Sequence, residues 1–145
     1  MNLAPVPVDD RVRALLVAAG LPIDDLDDAG VHLYGATEGA TLAGVVGLQV
    51  AGGAGLLRSL AVDPAYRDRG LGTRLCDLVV AEARARSLGE LWLLTQTARD
   101  YFARRGFEVV ARDQVPPPLR ATAQFSSLCP STAVAMRLSR AAPAR

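Results

Sequence analysis

The stretch "GLLRSLAVDPAYRDRGLGTRLCDLVVAEARARSLG" (55–89) constrains this chain more than any other. Its apolar start, 55–63, has strand length and is closed by Pro64. The period then changes. Leu71, Leu75, Leu78, Val79 and Glu82 recur at helical spacing, and Gly89 supplies a C-cap. A buried strand that runs through an Arg/Gly-rich loop into a long helix needs a sheet, and the helix must pack on that sheet.

The remaining elements fit around this unit. "VDDRVRALLVAAGLP" predicts a helix capped by Asp9 or Asp10, with Val12, Leu15, Leu16 and Ala19 as its apolar stripe and Gly20 and Pro22 as its stop. The acidic run 23–30 predicts a solvated turn, and its oxygens lack the spacing of a calcium loop. "VHLYGA" and "TLAGVVGLQV", joined at Glu38-Gly39, predict a hairpin. "ELWLLT" reads as a strand, "TARDYFARRG" as a short helix stopped by Gly106, and "FEVVAR" and "TAVAMRLS" as strands separated by the Pro-rich "PPPLR". The order is α–β–β–β–α–β–α–β–loop–β, a mixed sheet with helices on its faces, α+β or α/β in class. One domain over 1–140 and a frayed tail over 141–145 are expected.

Bulk properties exclude several classes. Sixteen basic residues, all arginine, oppose fifteen acidic ones, so no global charge selects nucleic acid or an anionic membrane. Two cysteines, Cys76 and Cys129, are too few for a disulfide framework and lack metal spacing, so no metal is expected. The start has no signal-peptide pattern, and no apolar run reaches the roughly 18–20 residues that span a bilayer, so a cytoplasmic location is the expectation.

The loop 63–73 carries the chemistry. The first turn of a helix has unpaired N–H groups and the positive end of the dipole. Gly70 and Gly72 let an anion approach the backbone, while Arg67 and Arg69 add charge. A diphosphate-sized anion suits this place, although an unliganded Arg/Gly-rich cap has the same composition. There is no Gly-Lys-Ser/Thr, and Leu75 stands where Gly-x-Gly-x-x-Gly needs its third glycine.

"RDRGLG" (67–72) matches Arg/Gln-x-x-Gly-x-Gly/Ala, and "TQTARDYFARRGF" (95–107) looks like Asn-x-x-Ala-x-x-aromatic-Tyr-x-x-x-Gly-Phe. In this order and spacing the two motifs resemble those of the GNAT acyltransferases, over roughly residues 40–138. "LLRSLAV", "LLTQTARDYFARRGF" and "LRATAQFSSLCPSTAVAM" further resemble the small GNAT proteins associated with arsenic-resistance genes, and more distantly the amino-acid N-acetyltransferases. The resemblance implies a GNAT fold: a mostly antiparallel sheet, splayed between its fourth and fifth strands, with helices on both faces. It implies acetyl-CoA as co-substrate, direct acetyl transfer to a small amino-acid-like amine, and room for a homodimer. A non-catalytic acyl-CoA-binding module is the alternative.

The resemblance also assigns positions. Backbone groups of Leu60, Ala61 and Val62 would hold the pantetheine arm, with the Val62 N–H polarising the carbonyl. Arg67, Asp68, Arg69, Gly70, Leu71, Gly72 and Thr73 would hold the diphosphate. Thr95 replaces the family's Asn against the pantetheine. Counting back from Gly106 places Phe102 at the family's Tyr, with Tyr101 one residue earlier and pointing about 100° away. Direct proton donation from Tyr101 therefore competes with a core or rim role, and with water, Thr95, Ser59 or Cys129 as donor. A coenzyme thiol is acidic enough, near pKa 8.5, to depart without a dedicated acid. No Asp or Glu precedes Asp63 on the fourth strand, so the amine would lose its proton to water or to a carboxylate on another loop; His32 is a weaker candidate.

For the acceptor, Arg58 and Arg120 are candidates beside Ser59 and Cys129. An arginine within an apolar strand must reach water or a carboxylate, so Arg58 either forms a structural salt bridge or receives a substrate anion. Arg120 lies in the segment between the last two strands, which in the family borders the acceptor pocket; a bidentate arginine suits a carboxylate, phosphinate or arsenical oxyanion. Cys129, a lone thiol, is either an arsenic ligand or a small buried hydrophobe.

Overall fold

The computed structural model describes residues 1–125 and 132–139. Seven strands form one sheet: β1 (Asn2–Pro5), β2 (Val31–Glu38), β3 (Thr41–Ala51), β4 (Ala54–Val62), β5 (Glu90–Thr95), β6 (Glu108–Val110) and β7 (Val134–Ser139). Their spatial order is β1-β2-β3-β4-β5-β7-β6. Every neighbouring pair is antiparallel except β4–β5, which is parallel. The parallel pair follows from the long crossover between them, which contains α2 (Leu71–Ala85). This is the predicted GNAT fold, α+β in class.

The helices divide between the two faces. α2 buries Leu71, Leu75 and Val79 of the expected stripe together with Cys76 and Ala83, against Ala43, Val46 and Leu57, while the expected Leu78 and Glu82 are only half-buried. α3 (Arg99–Ala103) adds Phe102 to the same cluster. On the other face, α1 (Asp10–Ala18) packs Val12 and Leu16 against Val45 and Ala61, and α4 (Pro117–Arg120) packs Leu119 against Leu56 and Trp92. Asp9 caps α1, its carboxylate accepting from the Val12 N–H at 3.1 Å. Ala19, expected in the apolar stripe, lies beyond the helix end and is exposed.

Several local expectations change: α2 ends at Ala85 with Arg86 as its C-cap rather than at Gly89, and the Pro-rich segment contains the short helix α4. β1 was not anticipated: it is a four-residue edge strand ending in Pro5, and proline is tolerated at an edge. The acidic run 23–30 is not wholly solvated, because Asp25 and Leu26 are both 3% exposed. Strict alternation along β4 fails at Ser59. Its φ of +58° and the register shift opposite Val45–Gly47 mark a β-bulge, so Arg58 and Ser59 no longer face opposite ways.

Candidate active site

β4 and β5 pair at only two positions, Gly55 with Leu91 and Leu56 with Trp92. Beyond Leu56 the outer edge of β4 has no strand partner among the described residues, and the two strands diverge around a cleft of about 480 Å³. Residues 57–60 form one wall, 93–98 with Tyr101 and Phe102 the other, and 19–22 after α1 close one end. Such an unpaired edge offers N–H and C=O groups to an extended ligand as an added strand would. Leu60 borders the cleft directly, and Ala61 and Val62 continue the same edge toward the loop.

The loop then turns sharply. Asp63 accepts from the Ala65 N–H at 2.9 Å, and Tyr66 donates to Glu38 at 3.2 Å, tying the turn to the β2–β3 hairpin. Gly70, at φ +73°, is the N-cap of α2 and has no side chain with which to cap it, so the first-turn amides of Leu71, Gly72 and Thr73 have no side-chain cap. Arg67 and Arg69 are exposed, and the Arg69 guanidinium lies 5.3 Å from the centre of the Tyr66 ring. Asp68, also exposed, takes the left-handed conformation at φ +65°.

Both neighbours, Tyr101 and Phe102, border the cleft. The cleft meets α3 along Ala98, Tyr101 and Phe102, spaced i, i+3 and i+4, so one helix face includes both rings. Phe102 is buried and packs edge-on against Tyr101 and Phe107. The Tyr101 hydroxyl oxygen is buried and has no hydrogen-bond partner; a Cβ on Gly72 would lie 3.0 Å from it. Arg105, one turn later, lays its guanidinium 3.8 Å from the Tyr101 ring centre and donates to the Thr73 hydroxyl.

Arg58 is 4% exposed and makes four hydrogen bonds within the chain. It reaches both carboxylate oxygens of Asp25 at 2.5 and 2.7 Å, Gln49 Oε1 at 2.9 Å and Ser59 Oγ at 3.1 Å. Of the two roles open to it, the carboxylate partner within the chain is present: Asp25, from the turn after α1. Thr95, 9% exposed at the end of β5, accepts from the Ala98 N–H at 2.9 Å and keeps its O–H available to the cleft.

Other expected residues lie apart. Arg120 is exposed on α4 and does not line the cleft; from the segment before β7, Ala133 does so among the described residues. α4 instead buries Leu119 against the sheet face opposite α2, which carries Arg120 away. His32 borders a different cavity, of about 530 Å³, between β1–β2 and α2. Cys129 and the 141–145 tail are outside the described residues. Cys76 is buried, and its desolvation, with a smaller push from Asp77, raises the thiol pKa to about 11, so it stays protonated. No Asp, Glu or His borders the cleft among the described residues.

Sequence reasoning missed Asp25, Gln49 and Arg105. The Tyr101–Arg105 spacing of i, i+4 is a local signal that could have found the last. Nothing local pairs Asp25 with a strand 33 residues away.

An acetyltransferase of the GNAT family from Staphylococcus aureus has this fold, with a TM-score of 0.74 at 14% identity over 95% of this chain and 99% of that one. The N-acetylglutamate synthase of Neisseria gonorrhoeae, solved with coenzyme A and N-acetyl-glutamate, superposes with a TM-score of 0.76 at 19% identity over 96% of this chain and 35% of that one. In sequence, an amino-acid acetyltransferase of Pseudomonas fluorescens is 40% identical over 63 residues, 43% of this chain and 15% of that protein. One from Neisseria meningitidis is 33% identical over 66 residues, 46% of this chain and again 15% of that protein. The match thus spans under a sixth of these curated relatives' own length. Residues 8–107 match the acetyltransferase (GNAT) family, and the chain belongs to that family.

Proposed function

We propose that this chain is an acetyl-CoA-dependent N-acetyltransferase acting on the amine of a small amino-acid-like substrate. The observation that carries this reading is the two-position pairing of β4 with β5, which opens a free strand edge leading to the uncapped first turn of α2. An extended arm on that edge and a diphosphate on that helix end are the two halves of one cofactor. The residues fit it: Leu60, Ala61 and Val62 offer backbone groups, and Gly70, Leu71, Gly72 and Thr73 surround the anion position. Arg67 and Arg69 supply positive charge from the exposed side of the loop, with Asp68 shaping its turn.

Bound acetyl-CoA supplies a thioester carbon open to attack by a neutral amine, with the thiol as leaving group. The Val62 N–H, further along the same edge, would polarise the carbonyl. With no carboxylate or histidine on the described walls, water takes the amine proton into the open end of the cleft. Thr95 orients the arm through its O–H. Phe102 walls the cleft against solvent, and its side chain has no proton to give, so the thiol departs on its own acidity.

The similarity to amino-acid acetyltransferases supports an amino-acid acceptor. The resistance-gene resemblance extends this to phosphinate- or arsenic-bearing amino-acid analogues. Arg58, neutralised by Asp25, holds the acceptor wall in shape rather than binding a second anion. The alternative, an acyl-CoA-binding sensor, is favoured by the same missing carboxylate. Thiol release from acetyl-CoA across amino acids and these analogues separates the two: turnover supports the enzyme, while tight cofactor binding without turnover leaves the sensor.

A further inference from the structure

We propose that the Tyr101 hydroxyl is a donor to the diphosphate of the cofactor, and that Arg105 is the residue that positions it and adds charge. This inference rests on the acetyl-CoA reading above.

Three observations converge on one place. The Tyr101 hydroxyl is buried without a partner, an arrangement that costs stability unless something supplies one. It points at the first turn of α2, close enough that a Cβ on Gly72 would meet it at 3.0 Å. Arg105 is half-buried beside it, with no carboxylate partner among the described residues and with its Nε also buried and unpaired. Its guanidinium stacks on the Tyr101 ring, donates to the Tyr101 carbonyl at 3.2 Å and grips Thr73, the third residue of α2.

An unneutralised cation, an orphan hydroxyl donor and an uncapped helix N-terminus all call for the same thing, a multiply charged anion. Tyr101 therefore serves the anionic end of the cofactor, and its phenol is not the acid for the departing thiol. Gly72 gains a second reason to lack a side chain, since a methyl there would press on this hydroxyl.

Calorimetric titration of coenzyme A, and of its fragment adenosine 3′-phosphate 5′-diphosphate, into wild type and Tyr101→Phe tests this. Losing a hydrogen bond to a charged group should weaken both ligands by roughly 10-fold or more. Without ligand, Tyr101→Phe should melt at or above the wild-type temperature, because the lost hydroxyl had no partner. A lower melting temperature with unchanged affinity would make the hydroxyl structural and overturn the proposal. Weakening confined to coenzyme A, with the fragment unaffected or not bound, would place the hydroxyl on the pantetheine arm and overturn it as well. Arg105→Gln should weaken coenzyme A and flatten the salt dependence of its affinity; an unchanged salt slope removes Arg105 from the assignment. If wild type binds no coenzyme A at all, the cofactor reading itself falls, an outcome separate from all of these.

Discussion

The two ends of the cleft are built by opposite means. At the cofactor end the chain removes side chains: Gly70 and Gly72 expose backbone amides, and β4 presents a bare edge. At the end proposed for the acceptor it fills space with a buried ion pair, Arg58 with Asp25, completed by Gln49 and Ser59. A backbone-built site recognises what every cofactor molecule shares. A side-chain network sets the shape of a wall, and that wall can change with one substitution.

The sharpest way to break this contrast is Gly72→Glu. A negative side chain at the second residue of a helix suits the dipole, so the fold should survive, while the like charge excludes the diphosphate. Coenzyme A binding should become undetectable by calorimetry in protein that circular dichroism shows to be folded, with some loss of melting temperature because the new Cβ crowds the Tyr101 hydroxyl. Retained binding would remove the backbone site from the cofactor assignment.

Next in size is Arg58→Ala or Asp25→Ala. Each strands a buried charge and should cost about 3–5 kcal/mol in urea unfolding. Replacing both together, Arg58→Met with Asp25→Leu, should recover most of that loss, because well-packed apolar groups can substitute for a buried pair. If the double variant is stable yet its acceptor KM rises severalfold while coenzyme A affinity holds, the network shapes the acceptor wall. If KM does not move, the network is structural only.

Thr95→Val should have a smaller effect. It removes the oxygen that accepts from the Ala98 N–H, and should cost about 1 kcal/mol in the same assay, the size of a lost helix cap. The smallest expected effects test the residues that lie apart. Arg120→Ala, exposed and off the cleft, should leave acceptor KM within error. With Cys129→Ala removing the second thiol, Cys76 should resist a thiol reagent at pH 8 until the protein is denatured, because its pKa of about 11 leaves it protonated.

Legibility followed the same division. The strand–loop–helix unit was readable because each signal is local: a Pro-closed apolar run, glycines at a helix start, and a 3.6-residue apolar period. The motif spacing between 67–72 and 95–107 carried the fold with it. β1 escaped notice because four residues ending in proline show no alternation, and the strand exists only because β2 offers it an edge. The acidic run was read as solvated since its composition is polar, yet Asp25 is drawn inside by an arginine far along the chain. Tyr101 was expected to turn away from the cleft by counting single-residue rotation. The cleft takes a broad helix face, and both rings belong to it.

By itself, then, the amino-acid sequence determined most of the elements, the Gly-rich turn proposed to hold the anion, and the family, because backbone conformation and apolar period are set within a few residues. Tertiary structure alone decided which carboxylate Arg58 holds, where the Tyr101 hydroxyl points and that α4 carries Arg120 away from the cleft. Those outcomes depend on which surfaces are pressed together across the sheet, and no run of neighbouring residues encodes that.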